Sequence, residues 1–231
     1  EAGFTDFQSV RVVKPSAAFL EHADSSSGIG NRLGKFILAS GLIWIILACL
    51  AQGVIKDGIG LWGPTMIQDI YGVDAGTASF LLLFIPVMNF MGITLVGMIQ
   101  RKRLLEEEVL VVIMMVLSVF ILASLRVFMG KSLTAGVLLL GGVSAVMYGV
   151  NTILLGVFPL RFARANRASF VSGLLDFCSY VAAGLSSVFS GLVIQLGLGW
   201  NSVFLVWMAL TVMGIGALGV FGWKYKERNG R

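Results

Sequence analysis

The sequence predicts an all-α membrane protein of six transmembrane helices. Of the 231 residues, 57% are hydrophobic and 13% charged, and the mean hydropathy is +0.91, a balance too apolar for a water-soluble domain. The apolar residues gather into six runs of roughly twenty or more. At that length an α-helix, rising about 1.5 Å per residue, crosses the ~30 Å hydrocarbon core of a bilayer and satisfies its own backbone hydrogen bonds. The basic residues lie in short clusters between the runs.

Residues 1–35 are mixed and polar, with Pro15, Ser25-Ser26-Ser27-Gly28 and scattered charges, and read as a cytoplasmic linker. The chain begins at Glu1 and no cleavable signal precedes the first long run, so it reads as cut from something longer. The first span opens at Phe36, runs to Ile55, meets Lys56-Asp57, and continues from Gly58 to Ile67, which is too long for one ordinary span. The second covers Ala78 to Ile99 and stops at Arg101-Lys102-Arg103, and the third covers Val109 to Phe128. The fourth runs from Leu133 to Phe158, the fifth from Phe170 to Leu196, and the sixth from Val203 to Trp223. Residues 36–223 thus form one six-helix transmembrane domain, followed by a polar cytoplasmic tail, 224–231.

Basic residues near span ends favour the cytoplasmic side. With residues 1–35 placed there, that side holds Arg11, Lys14, Arg32, Lys35, Arg101, Lys102, Arg103, Arg161, Arg164, Arg167, Lys224, Lys226, Arg228 and Arg231, and the far side holds Arg126 and Lys131. Fourteen against two predicts both ends in the cytoplasm and an even number of crossings, which six spans satisfy. The expected location is the plasma membrane, as a multi-pass protein.

The net charge of +5 comes from these clusters, whose expected neighbours are anionic lipid headgroups and not nucleic acid. Cys49 and Cys178 both fall inside apolar runs and read as small packing residues. No metal-ligand spacing, nucleotide loop or nucleophile triad is present, and the single histidine, His22, lies in the polar leader. An enzyme reading has no support, and no cofactor or metal is expected.

Ionisable groups inside spans cost a few kcal/mol on insertion scales and usually face a cavity or a partner. Lys56, Asp57 and Asp176 are the three here. In one reading the first helix ends at Lys56-Asp57, Gly58 and Gly60 open a loop, and Lys56 snorkels to the interface. In the other, the helix is broken or kinked at Gly58 and Gly60 and continues to Pro64, which puts Lys56 in a central aqueous cavity. A lone ammonium in a low-dielectric cavity attracts a phosphate or carboxylate. Asp57 then neutralises it between substrates or points elsewhere, since sequence neighbours lie about 100° apart on a helix. Asp176 has no basic neighbour in sequence, so it takes a partner across helices or a proton. It serves either in proton coupling or in a structural hydrogen bond near the cytoplasmic end.

Asn89 in the second span, Tyr148, Asn151 and Thr152 in the fourth, and Tyr180 in the fifth are placed to line a cavity, with interhelical hydrogen bonding as the plain alternative. Tyr148 shares a helical face with Asn151 and Thr152, three and four residues on. The 29 glycines, Gly141-Gly142, Gly149, Gly184 and Gly214 among them, permit close helix approach. The stretch from Arg101 to Glu108 reads as a solvated turn, with i,i+4 pairs such as Lys102 with Glu106.

Lys56-Asp57-Gly58-Ile59-Gly60-Leu61-Trp62-Gly63-Pro64-Thr65 resembles the seventh helix of the organophosphate:phosphate antiporters, the glycerol-3-phosphate transporter-like branch of the major facilitator superfamily. That branch carries a basic residue, a glycine and then Trp-x-Pro-Thr in this register. The resemblance continues through Tyr148-Gly149, Phe158-Pro159-Leu160-Arg161 to Arg167, Ser172-Gly173, Tyr180 and Gly199-Trp200, and covers nearly all of residues 36–223. It implies a twelve-helix transporter of two six-helix halves, of which this chain is helices seven to twelve. The substrate then lies between this half and a first half outside the sequence, and access alternates as one half rocks against the other.

In that family the basic residue of the seventh helix is an arginine that binds substrate phosphate, and by resemblance Lys56 inherits the role. The departure to lysine replaces a planar two-pronged donor with a point charge, which admits a carboxylate or another anion beside phosphate. A second departure is the absence, near Gln100-Arg101-Lys102, of the aspartate that the superfamily often carries in the loop after the eighth helix.

The leading expectation is therefore a secondary active transporter of a small anionic metabolite, such as an organophosphate or a carboxylate, with Lys56 as the anion contact. The expected partners are that small-molecule substrate, the lipid bilayer and the first six-helix half. The alternatives are a proton-coupled carrier of a neutral or cationic solute, using Asp57 or Asp176, and a non-transporting membrane scaffold or sensor.

Overall fold

The computed structural model describes residues 29–102 and 104–229. Residues 1–28, with Arg11, Lys14, Pro15 and His22, lie outside the described residues, as do Arg103, Gly230 and Arg231. Among the described residues eight α-helices follow in order: α1 (Ile29–Ser40), α2 (Leu42–Tyr71), α3 (Ala75–Leu82), α4 (Phe84–Arg101), α5 (Glu107–Phe128), α6 (Leu133–Asn151), α7 (Ala168–Gln195) and α8 (Gly199–Asn229). They supply six helical segments long and apolar enough to cross a membrane, with α3 and α4 acting as one and α6 extended to Ala163. No strand occurs among the described residues. The architecture is that of an all-α, multi-pass membrane protein.

Several boundaries differ from the expected ones for local reasons. The sequence places residues 29–35 in a linker and 224–231 in a polar tail, whereas α1 begins at Ile29 and α8 continues to Asn229. Gly41, in the left-handed region at φ 73°, turns the chain from α1 into α2, and a Cβ there would meet the Phe221 ring at 3.3 Å. The second span is divided at Leu83. Pro86 has no N–H and its ring crowds the carbonyl four residues back, at Leu82, so the turn tightens and Leu83 N–H donates to the Phe80 carbonyl at 3.1 Å. In the fourth span the α-helix gives way to a π-helical turn, Thr152–Val157, and then a 3₁₀ turn, Phe158–Ala165, which carries Pro159 near its start.

The expected break in the first span is absent. α2 is a single thirty-residue helix that runs through Lys56, Asp57, Gly58 and Gly60, so Lys56 neither ends a helix nor opens a loop. Pro64 lies inside it, and the carbonyl that its ring would crowd belongs to Gly60. That glycine is exposed, and a Cβ on it would meet nothing within 4 Å, so the helix has room to adjust there.

α2 is the central helix, packed against α7, α8, α6 and α3. Two apolar clusters flank its middle. One gathers Leu42, Ile45, Cys49, Phe158, Phe162 and Phe221; the other gathers Ile55, Ile59, Met66, Leu125, Phe204 and Trp207. Cys49 and Cys178 are free thiols, and Cys49 is buried in the first cluster. Glycines set the closest approaches, with Gly53 of α2 against Ser179 of α7 and Gly92 of α4 against Ala145 of α6.

Each end of the bundle is tied by polar contacts. At one end Trp62 Nε1 donates to Ser187 Oγ, and Trp200 Nε1 to Asp69 Oδ2, both at 3.0 Å. The Tyr71 hydroxyl donates to the Ser132 carbonyl at 3.0 Å. Asp74 caps α3, and its hydrogen bonds from the Thr77 hydroxyl and amide hold its carboxyl below the usual carboxylate range.

At the other end the stretch read as a solvated turn is in part a buried clamp. Lys102 ends α4 and Glu106 precedes α5, so no i,i+4 helical register joins them. Glu107 and Glu108 open α5 and grip the buried Arg161, whose Nε donates to Glu107 Oε2 at 2.9 Å while its terminal nitrogens reach both carboxylates. A planar guanidinium fits two carboxylates at once, and an ammonium does not. Arg161→Lys is expected to cost about 1.5–3 kcal/mol, the loss of a charge-assisted hydrogen bond, read as a lower unfolding midpoint. An unchanged midpoint would show that the clamp contributes little.

Candidate functional site

The middle of the bundle is where charge and polarity converge. Lys56 and Asp57 are the two central residues of α2. Tyr148 is the middle residue of the fourth membrane segment, and Tyr180 lies within half a turn of the middle of α7. A charge at mid-helix in a bilayer is retained only where partners compensate it. Lys56 is 7% exposed and its Nζ lies 2.9 Å from Asp57 Oδ1, so sequence neighbours that helical geometry does not require to meet form an ion pair. The ammonium also lies 5.4 Å from the centroid of the Tyr148 ring and 5.1 Å from that of Tyr180. Two π faces from two helices thus hold one cation, and the negative face of each ring favours the charged amine.

This arrangement leaves binding capacity unused. An ammonium has three donors, and among the described residues Asp57 is its one ion-pair partner. Asp57 Oδ2 is buried and accepts no hydrogen bond among the described residues. Tyr180 is 58% exposed, so the group opens to the surroundings past that ring while Lys56 lies behind it.

Lys56, Asp57, Tyr148 and Tyr180 are brought together, and none of the other residues expected from sequence bonds to a side chain of this group among the described residues. The Thr152 hydroxyl donates to the Tyr148 carbonyl at 2.9 Å, within its own helix. Asn89 lies one residue from the middle of its span and Asn151 one turn from Tyr148; each is half-buried with its Oδ1 buried and unpartnered. Asp176 is half-buried on α7, one turn from Tyr180, and has no ion-pair partner among the described residues.

Three further residues complete the polar belt. Gln52, one turn before Lys56 on α2, is fully buried with both amide atoms unpartnered. Ser179 is buried against Gly53 with its Oγ unpartnered, and Trp207, packed on Gly58, has an unpartnered Nε1. Leaving a buried donor or acceptor unpaired costs about 1–3 kcal/mol, so several such groups around one cation are an arrangement that a polar ligand relieves. Gln52 had a sequence signal, being an amide inside an apolar run four residues before the intramembrane lysine. Ser179 and Trp207 are ordinary span residues until the helices pack.

Chemically, the group offers one fixed positive charge, a nearby carboxylate, two phenol rings and several amide and hydroxyl groups at mid-span. Among the described residues no set of three or more histidine, cysteine or carboxylate side chains is placed to hold a metal ion. No protein-family model matches the chain, and no curated protein matches it in sequence.

Proposed function

We propose that the protein is a secondary active transporter, not an enzyme, and moves a small anionic metabolite, an organophosphate or a carboxylate, across the membrane by alternating access. The observation that supports it most is the burial of Lys56 at mid-span between two tyrosine rings and beside Asp57, with unpartnered polar groups around it. A substrate anion pairs with Lys56, while the unpartnered polar groups of Gln52, Asn151 and Ser179 take its hydroxyl or carbonyl oxygens. The resemblance of the Lys56 to Thr65 segment to the organophosphate:phosphate antiporters supports the same reading. So does the central position of α2, and in that reading a first six-helix half completes the site from the open side of Tyr180.

A proton-coupled carrier of a neutral or cationic solute is the second reading. It is favoured by Asp176, which is half-buried without an ion-pair partner among the described residues.

The test is a thermal-stability screen of the full-length protein with inorganic phosphate, sugar phosphates, carboxylates and neutral sugars, on wild type and Lys56→Gln. A ligand at a hundred times its Kd stabilises by about 2.7 kcal/mol, a rise in midpoint of roughly 5 °C or more. Anions are expected to give this rise in the wild type and not in the variant. Neutral sugars stabilising both proteins equally would overturn the anion reading in favour of the second.

A further inference from the structure

We propose that Asp57 is an internal counter-ion which the incoming anion displaces from Lys56, and that the displaced carboxylate takes up one proton, so that anion and proton bind together. This rests on Lys56 being the anion site.

At rest the Lys56–Asp57 pair is neutral, with a single 2.9 Å contact through Oδ1. An anion that takes the Lys56 ammonium leaves Asp57 without its cation, and the site then carries one uncompensated negative charge. The described surroundings supply no replacement. From α6 the group facing the pair is Tyr148, and from α7 it is Tyr180, with Asp176 one turn away and Cys178 between them. From α8 it is the uncharged indole of Trp207, packed on Gly58. The α3 helix carries no ionisable residue, and on α2 itself the neighbour one turn away is the amide of Gln52. The other described cations on these helices lie at the ends of their membrane segments: Arg161 in its clamp at the end of the fourth, Arg167 at the start of α7 over the Phe36 ring, and Lys224 at the end of the sixth.

A half-buried mid-span carboxylate that loses its cation and has a bare second oxygen is left with an uncompensated charge, which one bound proton removes. The exchange balances. The Asp57–Lys56 pair opens, the anion–Lys56 pair closes, and one proton from solvent joins the Asp57 carboxylate. Release of the anion reverses all three, so the anion's passage carries a proton with it.

The test is isothermal titration calorimetry of the full-length protein in two buffers of different ionisation enthalpy, between about pH 6 and 8, with inorganic phosphate, glycerol phosphate, lactate and sulfate as probes. Lactate and sulfate keep a fixed charge in that range, so wild-type protein alone reports the proton count. For the phosphates, subtracting Asp57→Asn removes the anion's own titration. The expected result is uptake of about one proton per anion bound and a Kd that weakens by about tenfold per pH unit over the range in which Asp57 is charged in the free protein and must be protonated on binding. Asp57→Asn is expected to bind lactate and sulfate with no linked proton and a flat pH profile, and the phosphates with only their own titration, while Asp57→Glu restores the slope. Anion binding to the wild type without proton uptake would overturn the counter-ion exchange and leave Lys56 as the anion site. If no probe binds the wild type, the anion reading and this inference fall together.

Discussion

Lys56→Met is expected to destabilise the protein by about 3–5 kcal/mol, the usual consequence of removing one partner from a buried ion pair. The loss comes chiefly from what is left behind. Asp57 is 19% exposed and one of its oxygens already lacks a donor, so without the ammonium it has no compensation within the described protein. Adding Asp57→Asn removes the stranded charge at nearly constant shape, and the double variant is expected to recover most of the lost stability. Ligand response separates the two roles of the lysine. The double variant should unfold near the wild-type midpoint and yet gain nothing from phosphate or carboxylates. Denaturation midpoints with and without anion check both statements. A double variant as unstable as Lys56→Met would show that the lysine acts mainly through packing against Tyr148 and Tyr180.

The second large effect is expected at the glycines where helices touch. A Cβ on Gly53 would lie 2.3 Å from Ser179 Oγ and 2.5 Å from the Ser179 carbonyl oxygen, and one on Gly92 would lie 2.2 Å from the Ala145 carbonyl oxygen. The obstacle in each case includes helix backbone, which no rotamer change removes. Alanine at either position must therefore push α7 away from α2 or α6 away from α4, at a cost near the upper end of the overpacking range, about 3 kcal/mol. Gly60→Ala is the contrast. Nothing lies within 4 Å of a Cβ there, so the change is expected to be neutral or to add up to about 1 kcal/mol through helix propensity. Equal effects of Gly53→Ala and Gly60→Ala on the unfolding midpoint would contradict the close-approach geometry.

What is readable in the sequence follows the range of the forces involved. Six membrane-length segments are a matter of local composition, so all six are legible, and their ends shift by a few residues where α1 and α8 extend into polar sequence. Lys56 and Asp57 stand out because charge is rare in an apolar run. The breaks have local signals in Pro86 and Pro159, but whether a helix accommodates a proline depends on the carbonyl four residues earlier. Pro64 illustrates the opposite outcome, since α2 continues through it. Gly58 and Gly60 look like a break in sequence, yet Gly58 serves as the seat of Trp207.

The site is half readable. Tyr148 and Tyr180 are marked as polar aromatics within spans, but their joint hold on Lys56 depends on the packing of α6 and α7 on α2. The Arg161 clamp joins residues 53 and 54 positions apart, so a reading limited to neighbours assigns Glu107 and Glu108 to a solvated turn. Gln52 escapes notice because one amide hardly alters the hydropathy of its run.

Anion uptake into proteoliposomes holding the full-length protein tests the role of Lys56 most directly, using radiolabelled inorganic phosphate, a sugar phosphate and a dicarboxylate on wild type and Lys56→Gln at matched insertion. An anion site at Lys56 predicts uptake of at least one of these by the wild type and a fall of about 10- to 100-fold in the variant, the value of one charge-assisted contact of roughly 1.5–3 kcal/mol. Uptake of anions at equal rates by both proteins, or of a neutral sugar alone, would contradict it.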